Sequence, residues 1–210
     1  MLCYPFEFWV LVMIGIIHKV LFDVLKQAGG DDLVVQVTDA AGVNASDIRI
    51  SETYPDHEFA QLFASTLQIT QLPRATVVDL YADAFLAYAQ ELFPAFFAMS
   101  DSAYDFLRRQ PKIHTSLSAS LVSDEEREQV EQKFSLVEED DGSLNLSYFS
   151  KVGLCDLYHS LAYKIAEHYG DEITISAETC GGGKQCSLRL YFNNPPASAM
   201  LSPCLLGYSR

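Results

Sequence analysis

Three groups of side chains in this sequence have the types and spacing for chemistry. The first is Lys112-Ile113-His114, an imidazole shortly after Pro111. A neutral imidazole nitrogen can ligate a transition metal or a haem iron while the other ring nitrogen is oriented by a hydrogen bond. The second is Tyr148-Phe149-Ser150-Lys151-Val152, with hydroxyls on its first and third residues. On a strand these two side chains share a face, so they can donate together to the carboxylates of a ligand such as haem. The third is Cys155, Cys180 and Cys186, with His159 one helical turn after Cys155. Each group also has a plainer explanation. These are a polar surface histidine at a helix start, an ordinary strand end with a buried tyrosine, and three unremarkable thiols.

Holding these groups in place requires helices first and strands second. Apolar Ile16, Ile17, Val20, Leu21, Val24 and Leu25 follow helical spacing from Ile14 to Ala28, and Gly29-Gly30 is the expected stop. Residues 31–50 fit either a strand or a short helix. Pro55-Asp56 opens a helix carrying Phe59, Leu62, Phe63 and Leu67, and residues 75–93 form a long one that Pro94 ends or kinks. Asp101 to Arg109 is a short helix, and Pro111 starts the next, which carries His114. The period then changes to two. Lys133 to Glu138 and Leu144 to Tyr148 alternate around Asp140-Asp141-Gly142, a hairpin pattern. A helix from about Gly153 to Tyr169 follows, stopped by Gly170. Ile173-Thr174-Ile175 and Leu188 to Tyr191 supply two more strands. The expected fold is α+β: a helical N-terminal half packed on a mixed half with a four-stranded antiparallel sheet and a long helix.

The 210 residues suit a single domain, and a composition 49% hydrophobic and 12% aromatic can fill its core. Acidic residues outnumber basic ones 28 to 14, and the net charge of −14 argues against nucleic acid and anionic membrane surfaces as partners. Five cysteines do not make a small disulfide scaffold, so reduced thiols in a cytoplasmic protein are expected. The apolar start MLCYPFEFWVLVMIGII has no basic n-region or small-residue cleavage site and is short for a membrane span. Residues 1–12 are expected to be an upstream extension, 13–193 the domain, and 194–210 a loosely held tail. There is no Walker loop, dinucleotide glycine fingerprint or HExxH. The Gly181–Gly183 run precedes no helix, and Asp124-Glu125-Glu126 reads as a solvated helix face.

In order and approximate spacing the motifs resemble the haem nitric-oxide/oxygen-binding (H-NOX) family, bacterial stand-alone type, related to the sensor domain of soluble guanylate cyclase. The resemblance runs from Met13-Ile14-Gly15-Ile16-Ile17 through Ile113-His114 and Ser147-Tyr148-Phe149-Ser150-Lys151 to Leu154-Cys155 and the last strands. It implies a haem b with His114 as the iron ligand and Tyr148 and Ser150 at the propionates. The third member of the family's Tyr-x-Ser-x-Arg motif is replaced: Val152 stands in place of arginine and offers no donor. The residues aligned with the distal pocket are Ile17, Leu21, Phe85 and Leu157, all apolar. Such a pocket gives bound O₂ no polar stabilisation, while NO needs none. Some bacterial members also hold a structural zinc with three cysteines and a histidine. Here Cys155, Cys180 and Cys186 match, Ala177 falls at the histidine, and His159 is the substitute.

The implied function is a nitric-oxide sensor, not an enzyme. NO would weaken the bond from His114 to iron and shift its helix, and a histidine kinase or diguanylate cyclase would read the shift. The alternative opened by Val152 is a degenerate interaction module that has lost haem or takes another apolar ligand.

Overall fold

A computed structural model describes residues 12–119, 121, 123–149, 153–181 and 185–193. Ser150, Lys151, Val152, the Gly182–Gly183 loop, most of the expected upstream extension and the expected tail lie outside them, as does the side chain of Cys180.

The chain begins with a short strand β1 (Val12–Ile14), paired antiparallel with β2 (Thr53–Pro55). Between them runs α1 (Ile16–Ala41). Gly15 enters this helix where a β-carbon would lie 2.0 Å from the Arg49 carbonyl oxygen, so only glycine fits that approach. The Gly29-Gly30 pair does not stop the helix as its composition suggests. It kinks it: Gly30 takes φ 72° and ψ −169°, and helical geometry resumes to Ala41. Of the ambiguous residues 31–50, those up to Ala41 are therefore helical, and Val37 is their fully buried anchor.

The remaining helices follow their punctuation. They are α2 (Asp56–Thr70), α3 (Arg74–Leu92), α4 (Pro94–Ala98), α5 (Ala103–Arg108), α6 (Gln110–Ser118) and α7 (Asp124–Glu131). Proline stands at the start of α4 and within the first turn of α6, where its missing N–H costs nothing. Ser123 caps α7, its hydroxyl accepting from the Glu126 N–H, and three acidic residues occupy the first turn.

The second half carries β3 (Phe134–Glu138), β4 (Leu144–Phe149), α8 (Cys155–Tyr169), β5 (Ile173–Gly181) and β6 (Gln185–Phe192). The four strands form an antiparallel sheet in the order β3-β4-β6-β5. Leu144, Leu146 and Tyr148 of β4 and Leu188 and Leu190 of β6 face the core from alternate positions. Gly170 ends α8 at φ 71°. The α8 helix packs on α3, and α6 packs on α7 and β3, so both halves share one core. This is the expected α+β architecture. Among the described residues no helix is long and apolar enough to cross a membrane.

Candidate functional site

A cavity of about 180 Å³ lies where α1, α3, α6, β4 and α8 meet. Its wall is almost wholly apolar, and aromatic rings from both halves of the chain contribute to it. His114, Tyr148, Ile17, Phe85 and Leu157 all line it, although they come from five separate elements. Leu21 does not. It is fully buried one turn beyond Ile17 and belongs to the packed interior.

His114 is not a solvated surface residue. Its ring packs on Phe134 at 4.2 Å between centroids, and its Nδ1 is shut off from solvent with no hydrogen-bond partner among the described residues. Burial, and then the charge of Lys133, push the imidazole down to about 4. At neutral pH the ring is therefore uncharged, the form that binds metals. A run of aromatic contacts continues from it. Phe134 stacks on Tyr148 at 4.8 Å, and Tyr148 stacks on Tyr158 at 5.9 Å. The β3–β4 register sets this up by placing Phe134 opposite Tyr148.

The rest of the wall offers little polarity. The Tyr81 hydroxyl is committed, donating to the Ile17 carbonyl at 2.9 Å. Phe85 stacks on Tyr81 at 6.1 Å. Tyr158 also lines the cavity, and its buried hydroxyl has no partner among the described residues. Burial raises its pKa, so it stays protonated. Its ring contacts are with Phe134 and Tyr148, on the side of His114.

Sequence reasoning missed Lys133 and Asp56. Lys133 lines the cavity, and its Nζ donates to Asp56 Oδ1 at 2.8 Å, with both side chains buried. Burial lowers the Lys133 pKa, and Asp56 opposes that shift. No local signal joins these residues. Asp56 looks like a helix-start carboxylate and Lys133 like the first residue of a strand.

The zinc expectation gains no support. Cys155 and Cys186 are joined in a disulfide, with Cα atoms 6.0 Å apart, and in that state neither can offer a thiolate. This also corrects the expectation that both thiols are reduced. On the backbone Cys180 lies opposite Cys186, but its side chain is outside the described residues. His159 lines a surface groove with Arg74, Asp156 and Lys164 between α3 and α8. Among the described residues no three metal-ligating groups cluster.

The sequence matches the haem-NO-binding family over residues 14–177. The fold matches solved H-NOX structures. One is an oxygen-binding H-NOX domain related to soluble guanylate cyclases, at 18% identity and TM-score 0.69, covering 94% of this chain and 100% of that one. A second is an H-NOX protein variant from K. algicida, iron(II) and unliganded, at 18% identity and TM-score 0.70, covering 87% and 97%. A third is an H-NOX protein from S. oneidensis in the Fe(II)NO ligation state, at 19% identity and TM-score 0.66, covering 87% and 100%. No curated protein matches the sequence.

Proposed function

The chain belongs to the haem-NO-binding, or H-NOX, family of haem-based gas sensors, and we propose that it is a nitric-oxide sensor domain that binds haem b through His114 and signals to a partner protein. One observation carries the reading. In the wall of an apolar cavity, His114 presents a neutral imidazole with a buried nitrogen that has no partner among the described residues. A buried polar atom without a partner is a cost that a ligand can remove. The residues present thus fit the group. When bound, haem supplies an iron that takes a diatomic gas.

The chain's own residues would do the rest. His114 would hold the group from one side. Tyr148 lines the same cavity and, with Ser150 from outside the described residues, would serve the propionate end. Ile17, Phe85 and Leu157 would form a gas-facing wall without donors, which favours NO over O₂. Because α6 packs against α7 and β3, a displaced His114 would shift surface elements along with it. A partner such as a histidine kinase or a diguanylate cyclase reads that shift if it binds the two positions with different affinity. The domain itself would perform no catalysis.

Absorption spectroscopy tests this. Protein expressed with ample haem should show a Soret band, and His114→Ala should lose it or change it strongly. A band unchanged in that variant contradicts the assignment of His114. A colourless wild-type chain favours an interaction module that takes another apolar ligand.

A further inference from the structure

The Lys133–Asp56 pair stands in an unfavourable place. Nζ is 2.8 Å from Oδ1, both side chains are buried, and Asp56 Oδ2 has no hydrogen-bond partner among the described residues. Taking two charges out of water returns little unless their remaining donors and acceptors are also satisfied. An ammonium has three protons to donate. Among the described residues, Asp56 is the side chain that Lys133 hydrogen-bonds, leaving donor capacity toward the cavity it lines.

The position of Lys133 gives that capacity a use. It is the single cationic side chain among the described residues lining the cavity. Its carbonyl accepts from the Phe149 N–H at 2.9 Å, which fixes it at the end of β4, beside Tyr148. The chain then runs on to Val152, which brings no charge. A dianionic ligand edge placed beside Tyr148 would find no charge at Val152, where the Tyr-x-Ser-x-Arg pattern has its arginine.

We propose that Lys133, in the turn just before the neighbouring strand β3, is the cation that pairs with a carboxylate of the bound haem. The proposal rests on the haem reading above. A compact ammonium on a flexible stem can hold Asp56 and a second carboxylate together, which suits it to this shared position. Asp56 is then a positioning residue: it keeps the ammonium charged and aimed along the cavity edge.

Haem transfer to apomyoglobin, run in parallel with haem and with its dimethyl ester, separates the outcomes. Lys133→Met should release haem about 10- to 100-fold faster than wild type, the range of a lost charge-assisted bond. Lys133→Arg should release it close to the wild-type rate. With the diester, which has no carboxylates, wild type and Lys133→Met should release at equal rates. A merely structural lysine would accelerate both. The double variant Lys133→Met/Asp56→Asn removes the pair as a unit, so that no lone buried carboxylate unfolds the chain, and should show the same selective acceleration. Wild-type release rates in either variant, or equal acceleration with the diester, overturn the role of Lys133. A wild-type chain with no Soret band from either porphyrin overturns the haem reading itself.

Discussion

Two buried histidines of this chain share almost every electrostatic property and differ in one. His18 on α1 and His114 on α6 are both pushed down to about 4 by burial and then by the Lys133 charge. Both carry buried ring nitrogens without partners among the described residues; His18 has two such atoms. The surroundings differ. His18 is sealed against Tyr54 and Phe59, with ring centroids at 5.3 and 5.5 Å, and does not line the cavity. His114 does line it. A depressed pKa and an unpartnered nitrogen therefore mark burial, not function. The place of His114 in the cavity wall is what sets it apart from His18 among the described residues.

The largest expected effect breaks the pair apart. His114→Ala should remove most of the haem retained by purified protein, while His18→Leu should keep wild-type haem content, both read from Soret absorbance per chain. Equal losses from the two variants would mean that the cavity does not discriminate between them.

The next effect runs in the other direction. The folded chain protonates His18 only near pH 4, whereas the unfolded chain does so near 6.5. Between those values the unfolded state binds the extra proton. This contribution to stability is intact above about pH 6.5 and is lost as pH falls toward 4, by ~3 kcal/mol in all. His18→Leu should flatten the acid side of the stability curve by that amount, measured by urea unfolding of the apo-protein across the window. A curve as steep as wild type would show that the His18 imidazole titrates normally.

Two smaller effects sharpen the contrast between the walls. Leu157→Tyr places a donor on the apolar wall and should raise O₂ affinity by up to about tenfold, the value of one neutral hydrogen bond, with NO affinity little changed. Tyr158→Phe removes the hydroxyl that groups with Phe134 and Tyr148 and should move O₂ affinity by less than about twofold. Ligand titrations followed by absorbance read both. A large O₂ effect from Tyr158→Phe would place that hydroxyl on the gas-facing side.

The elements were largely legible because each carries local punctuation. Proline opens α6, a turn cluster splits β3 from β4, and Gly170 ends α8. Gly29-Gly30 misled because packing of Val37 carries the helix past the pair. The position of His114 was visible through its place in the family order. The Lys133–Asp56 pair was not, since the two residues are 77 apart in sequence and each has an ordinary local reading. Leu21 illustrates another limit. Ile17 and Leu21 share a helix face in sequence, but only a three-dimensional boundary separates the cavity wall from the core beneath it.

The most direct measurement of the central claim is resonance Raman spectroscopy of the ferrous, haem-loaded protein. An iron–histidine stretching band should be present in wild type and in His18→Leu. In His114→Gly it should be absent, and added imidazole should return an iron–imidazole band by filling the space the side chain leaves. A band that persists in His114→Gly without imidazole, or one that disappears in His18→Leu, would contradict the assignment of His114 as the iron ligand.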